Sequence, residues 1–242
     1  MKLLLIEGPP GSGKTTTAEL ICLRLRSLGL DVRWYLEEAA DHPVHPRSVV
    51  RVRRDPRFGL ICLNQWHRFV KEVGSEETVH VMEGSAFQST VRFMIEECQG
   101  GVAEYFSRFE LIVESLSPAL VYLRPDDAIS NSRYICGVRG EGWTETVSCH
   151  GSPFSTKHNL SGVEGMHIFW EKYSERCDAL FETWTQTKTQ VSFAPGEYEH
   201  HVPNLWEFLK QLGVVDGSDV GSSKPVETDG LSRCAPAAVA QR

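Results

Sequence analysis

The segment Leu3-Leu4-Leu5-Ile6-Glu7-Gly8-Pro9-Pro10-Gly11-Ser12-Gly13-Lys14-Thr15-Thr16 runs from an apolar stretch through a glycine-rich turn into a lysine and two hydroxyls. Gly8, Gly13, Lys14 and Thr15 fill the spacing G-x-x-x-x-G-K-[ST] of a phosphate-binding P-loop. Glycines let the backbone curl so that its N–H groups face one concave spot. A helix opening near Gly13 aims its unpaired N–H groups and positive dipole end at the same spot. Lys14 adds a mobile charge for β- and γ-phosphates, and the Thr15 hydroxyl suits Mg²⁺. The nucleotide-binding residues expected are therefore Gly8, Pro9, Pro10, Gly11, Ser12, Gly13, Lys14, Thr15 and Thr16. With glycine at about 7% of residues, a chance match in a chain of this length has a probability of only ~1%.

The chain has 242 residues and a net charge of −7, which disfavours a nucleic-acid polymer as partner. Its 7 cysteines are scattered, with no C-x-x-C pair, so neither a disulfide framework nor a zinc site is expected. Reduced thiols of a cytoplasmic enzyme are the simplest account. The N-terminal apolar run is cut by Glu7, too short for a signal peptide, and no stretch approaches the ~18 apolar residues of a membrane span.

Outward from the P-loop, strands and helices alternate. Short apolar runs predict strands at 2–6, 32–36, 78–82, 118–123 and 189–193. Helical spacing runs from Thr16 to Leu28 through Leu20, Leu23 and Leu25, with Gly29 as its stop. Further helices are expected at 56–73, from Val91 to about Cys98, and at 102–116. Another should follow Asp126 or Asp127 as cap, with two more at 163–185 and 205–212. Residues 139–162, rich in Gly, Ser, Thr and Pro, read as a mobile loop. This pattern predicts an α/β fold, three layers with a five-stranded parallel sheet between helices, over residues 1–212. A lid should occupy about 133–162, and the Gly/Ser/Pro-rich 213–242 read as a disordered tail.

In such a sheet, ligands sit at the carboxyl ends of the strands. The side chains there are Glu37, Glu38, Glu83 and Arg124. Glu83 is placed to hold Mg²⁺ with Thr15, although a bare acid closing a strand reads the same way. Arg133 and Arg139 precede the Gly/Ser-rich segment and suit a lid that closes on a phosphoryl group; a solvated helix face fits them equally well. The loop Asp41-His42-Pro43-Val44-His45-Pro46 reads first as a proline-stiffened polar loop and only second as a metal site. Cys149-His150 has no evident orienting acid, His200-His201 reads as a surface pair, and Trp34, Trp66 and Trp170 read as packing before base stacking.

Three stretches together resemble the thymidylate kinase and deoxynucleoside kinase group of P-loop kinases. They are Gly8 through Thr16, the Glu83-Gly84-Ser85 step, and Val121-Tyr122-Leu123 through Arg139-Gly140-Glu141. The resemblance covers roughly residues 1–212 in order of elements. It implies an ATP- and Mg²⁺-dependent transfer of the γ-phosphoryl group to a small-molecule acceptor, a nucleoside or nucleotide foremost. It further implies that Glu83 assists Mg²⁺, that Glu37 or Glu38 receives the acceptor proton, and that Arg133 and Arg139 are lid arginines. Two departures sit on the acceptor side: Gly84 replaces the family's arginine, with Arg92 as a candidate substitute, and the second strand ends on Glu37-Glu38-Ala39-Ala40.

Two other classes compete. A nucleotide-dependent regulatory binder survives, although a Ras-type guanine motif is missing: Thr156-Lys157-His158-Asn159 lacks the aspartate. An acceptor-independent ATPase also fits the P-loop. The helix at 102–116 is apolar enough to serve as the seam of a homodimer.

Overall fold

A computed structural model describes residues 1–148, 151–197 and 202–214. The strands are β1 (Leu3–Glu7), β2 (Val32–Tyr35), β3 (Val79–Glu83), β4 (Ala119–Pro125) and β5 (Thr187–Phe193). All pair in parallel, in the order β2-β3-β1-β4-β5. β1, β3 and most of β4 are buried on both faces, as expected of sheet strands covered by helices.

Handedness then decides where each helix goes. The chain crosses from β1 outward to β2 in one direction, and from β2 onward it steps only in the other. Right-handed crossovers therefore put α1 (Lys14–Ser27) on one face and the later helices on the opposite one. The α1 face also receives α10 (Val202–Gln211), through Leu205, Phe208 and Leu209. After the single-turn α2 (Arg47–Val50), the other face carries α3 (Phe58–Val73), α5 (Val102–Val113) and α9 (Gly162–Thr183), packed through Trp66, Phe109 and Tyr173. This is the three-layer arrangement that the element order predicts.

Four expectations are corrected. The helix α1 buries Ala18, Ile21, Cys22 and Leu25, so of the expected Leu20, Leu23 and Leu25 stripe only Leu25 is fully buried; Leu23 is 54% exposed. The helix after β3 opens with a π-turn at Phe87–Val91 before α4 (Arg92–Glu96). Residues 139–162 are not a plain loop. They hold α7 (Glu141–Ser148) and α8 (Pro153–Lys157), the latter capped by Ser152 with Pro153 at its first position. Finally, α5 turns Tyr105, Phe106, Phe109 and Val113 into the core, so its apolar stripe is not a free seam.

The remaining boundaries agree within a residue or three. Asp127 caps α6 (Ala128–Arg139) by accepting the Ser130 N–H at 2.6 Å, and Gly29 follows α1 at φ +83°. Cys149, His150, His200, His201 and residues 215–242 lie outside the described residues. Among those described, no helix is long and apolar enough to cross a membrane.

Two substitutions check the face assignments by urea denaturation. Phe109→Ala empties a fully buried site and should cost about 3–5 kcal/mol, whereas Leu23→Ser should change stability by no more than about 0.5 kcal/mol. A large loss at Leu23 would mean that α1 is rotated from the position described.

Candidate functional site

The P-loop curls between β1 and α1 with Gly8, Gly11 and Gly13 all at positive φ. A side chain at Gly8 would run into Ser12, and one at Gly11 would meet Ile135 of α6 at 2.8 Å. Asn131 of α6 donates to the Pro10 carbonyl at 3.1 Å. The loop is thus held by its own turn inside and by α6 outside.

Lys14 reaches back over the loop. Its ammonium donates to the carbonyls of Gly8 and Pro9 at 3.1 and 3.2 Å and to Gln88 Oε1 at 2.6 Å. Glu37 Oε2 lies 3.9 Å from it. Thr15 Oγ1 donates to Glu83 Oε1 at 3.1 Å, and the Glu37 backbone N–H points to the same oxygen at 3.4 Å. Glu83 Oε2 and Ser12 Oγ are buried and have no hydrogen-bond partner among the described residues. A third carboxylate, Glu7, lies fully buried at the end of β1 and accepts the N–H groups of Ala86 and Phe87 at 2.6 and 3.0 Å.

Three carboxyl groups therefore surround one ammonium in a nearly dry space. Burial pushes Glu7 up to about 8 and Glu83 up to about 7, and it raises Glu37 as well. Lys14 opposes the rise at all three, and Arg92 and Arg139 also bear on Glu37. Such a site is short of positive charge. Mg²⁺ fits it: Thr15 Oγ1 and the orphaned Glu83 Oε2 offer a hydroxyl and one carboxylate, the sparse protein set this cation takes beside phosphate and water.

Gly84 explains how Glu37 gets there. It sits at φ +61°, and a Cβ on it would collide with the Glu37 carboxylate. Gly84 thus makes room for the acid just beyond β2. Glu37 is brought into the site and Glu38 is exposed. Arg139 stacks over Trp143, its guanidinium 5.1 Å from the ring centre. Arg133 instead faces solvent and pairs with Glu164 at 3.2 Å. Thr16 is exposed on α1. Arg124 is tied by its Nε to both oxygens of Asp178 at 3.0 Å, a brace between β4 and α9.

The loop after β2 folds inward as a polar clamp, not as a metal site. His42 Nδ1 accepts the N–H groups of Val44 and His45, which leaves Nε2–H to donate to Ser85 Oγ at 3.2 Å. His45 donates from Nε2 to the Ser85 carbonyl at 2.8 Å. Both rings are thereby neutral, and burial pushes them down to about 4 and about 3. They fix the Glu83-Gly84-Ser85 step from the side away from the P-loop.

Beside the phosphate cradle lies a cleft of about 590 Å³. The segment 53–54 and α4 line one side with Arg53, Arg54, Arg92 and Phe93, and 147–170 line the other with Phe169 and Trp170. Trp170 also lines a small recess over Pro9 and Pro10, so cleft and P-loop share a wall. Trp66 is wholly buried in the core and Trp34 half-buried, whereas Trp170 is the indole that reaches the cleft. Sequence reasoning missed Glu7, Gln88 and the cleft residues Arg53 and Arg54. Only Glu7 left a signal, an acid closing an otherwise apolar strand.

No family model and no curated protein sequence matches the chain. Among solved structures it is similar to shikimate kinase from Bacteroides thetaiotaomicron, at 15% identity and a TM-score of 0.46 over 86% of this chain and 98% of that one. It is also similar to deoxyadenosine kinase from M. mycoides with bound dATP, at 14% identity and a TM-score of 0.46 over 86% and 99%.

The buried carboxyls set a pH dependence. Glu7 and Glu83 have folded values above their ordinary 4.5, so the folded chain holds protons that the unfolded chain has released. Their contribution is complete below about 4.5 and is lost as pH rises through about 7 and 8. His42 and His45 act oppositely and only below about 6.5, where the unfolded imidazoles charge first. The urea midpoint of the ligand-free protein should therefore decline from about pH 6.5 to about 8, and Glu7→Gln should flatten the upper part of that decline. A flat wild-type profile would contradict the buried charges.

Proposed function

We propose that the protein is an ATP- and Mg²⁺-dependent phosphotransferase acting on a small-molecule acceptor, a nucleoside or nucleotide foremost. The observation that carries this reading is the convergence of a complete P-loop, the Thr15–Glu83 pair and Glu37 beside Lys14, with a cleft nearby whose Trp170 also lines the recess over Pro9 and Pro10 and whose Arg92 bears on Glu37. A binder or an ATPase needs the first two; an acid beside Lys14 with a cleft nearby is what transfer adds.

In this reading the P-loop N–H groups and Lys14 hold the β- and γ-phosphates, so Lys14 exchanges its carbonyl and Gln88 partners for phosphate oxygens. Thr15 and Glu83 would hold Mg²⁺, which supplies charge neutralisation to the phosphates when bound. The acceptor hydroxyl enters from the cleft side. Its oxygen bonds to the γ-phosphorus as the bond from that phosphorus to the β–γ bridging oxygen breaks, and its proton passes to a Glu37 carboxylate oxygen. ADP and the phosphorylated acceptor leave. Burial raises the basicity of Glu37, while Lys14, Arg92 and Arg139 hold it back. Arg139 is the arginine that closes over the transferring group, and α7 and α8 act as the lid that excludes water. Arg133 supports the lid through Glu164 rather than touching phosphate.

Coupled ADP release across nucleosides, nucleoside monophosphates, sugars and aminoglycosides tests the proposal, with Lys14→Ala as the inactive control. Release that needs an acceptor supports it; equal release without any acceptor makes the protein an ATPase, and none makes it a binder. Glu37→Gln should cut kcat by roughly 10²–10⁴-fold with Mg-ATP affinity within about threefold, and Glu38→Gln should leave both unchanged. Equal losses at the two positions would remove Glu37 from the role given it.

Gly84→Ala is a sharper probe of the same arrangement. The added methyl displaces the Glu37 carboxylate, so turnover should fall by roughly tenfold or more while nucleotide binding persists. Unchanged turnover would show that Glu37 works from another position.

A further inference from the structure

Lys14 has no donor to spare. An ammonium carries three N–H groups and accepts nothing. All of them are taken, by the carbonyls of Gly8 and Pro9 at 3.1 and 3.2 Å and by Gln88 Oε1 at 2.6 Å. The two carbonyls are loop backbone, part of the cradle itself. Gln88 comes from outside the loop, 74 residues along the chain, and makes the shortest of these bonds. Glu37 Oε2 lies 3.9 Å from the ammonium, close enough for charge to act but outside hydrogen-bond reach.

The turn that carries Gln88 is pinned on both sides. Ala86 and Phe87 donate to Glu7, the Ser89 N–H donates to the Gly84 carbonyl at 2.8 Å, and the Gln88 carbonyl accepts from Arg92 Nε at 3.3 Å. Its backbone is therefore fixed relative to β1 and β3. The side chain is only half-buried and turns about staggered torsions, so it is the part that moves. A short hydrogen bond to an ammonium in a space poor in water is among the stronger contacts in a protein. A phosphate reaching Lys14 has to break it first.

We infer that Gln88 is a latch on the P-loop lysine. It occupies a donor of Lys14 in the empty site, keeps the ammonium off Glu37, and is displaced by the β- and γ-phosphates of an arriving nucleotide. Gln88 acts through Lys14 and is a positioning residue. Its presence sets nucleotide affinity below what the P-loop alone would give, and in return the acid beside the lysine is not drawn into a direct bond. The inference rests on the reading of the P-loop as a phosphate site, but not on phosphoryl transfer, because no acceptor enters it.

Calorimetry on the full chain tests the latch, with Mg²⁺ and adenylyl imidodiphosphate, an ATP analogue whose β–γ link resists hydrolysis. Gln88→Met keeps the length and removes the acceptor atom; Gln88→Asn keeps the amide but falls one methylene short of Lys14. Each should bind the analogue roughly three- to tenfold more tightly than the protein with Gln88. Structural damage to the site weakens binding, so a gain is a readout that a merely structural role would not give. A donor released by Gln88 is free to turn to Glu37, so both substitutions are repeated on Glu37→Ala protein and compared within that background. Tighter binding in either background upholds the latch. Unchanged or weaker binding in both overturns it, and weaker binding would make Gln88 a direct contact of the nucleotide. If no form of the protein binds the analogue, the phosphate-site reading has failed and the latch falls with it. If binding is found but no acceptor supports ADP release, transfer alone has failed and the same affinities still decide the latch.

Discussion

An ammonium enclosed by three carboxyl groups is the constraint around which the rest of the molecule is arranged. Lys14, Glu7, Glu37 and Glu83 come from four separate segments, and each is largely withdrawn from water. Isolated charges of this kind are expensive to bury, so each needs a fixed partner. The all-parallel sheet supplies the means, because it delivers every strand's carboxyl end to the same edge. Glu7 and Glu83 close the two adjacent strands β1 and β3, and Glu37 lies just beyond β2. The helices behind the sheet keep water from the lower side of the cluster, which leaves the P-loop side as its opening.

A second layer of polar contacts keeps that cluster in register. Glu7 caps the turn after β3, while His42 and His45 grip Ser85 two residues beyond Glu83. The step Glu83-Gly84-Ser85 is therefore fastened at both ends, with the one flexible residue between them yielding room to Glu37. The histidines are neutral and tied to Ser85 through backbone and hydroxyl hydrogen bonds, a structural use of residues whose spacing also suits a metal.

Much of this fold is legible in the sequence because hydrophobic periodicity and punctuation report directly on backbone geometry. The P-loop, all five strands and the Gly29 stop follow from local rules. The α1 face is only partly legible, since Leu20 and Leu23 outweigh Ala18 and Cys22 in hydropathy although it is Ala18 and Cys22, with Ile21 and Leu25, that are buried. The helices in 139–162 were concealed by Gly, Ser and Thr content, although Ser152-Pro153 is a helix-start signal in its own right. At the site, Glu83 and Thr15 are visible from motif spacing, whereas Glu37 and Glu38 cannot be told apart until the Gly84 backbone shows which of them has room. Arg53 and Arg54 lie beyond any local reading. What distinguishes them is a shared partner at the cleft, Glu97, whose Oε1 lies 3.9 and 3.5 Å from their Nε atoms and which comes more than forty residues along the chain.

The π-turn at Phe87–Val91 carries one residue more than an α-helical turn would need. Gln88, on Lys14, lies within that turn, and Arg92, at the cleft, directly follows it. Removing a single residue there would restore ordinary helical spacing and swing everything downstream by about 100° around the axis. Arg92 and Phe93 would leave the cleft together, with the P-loop untouched. The length of this one turn thus acts as a phase setting between the two halves of the site. Insertions and deletions at Phe87–Val91 are consequently far less interchangeable than those in a surface loop.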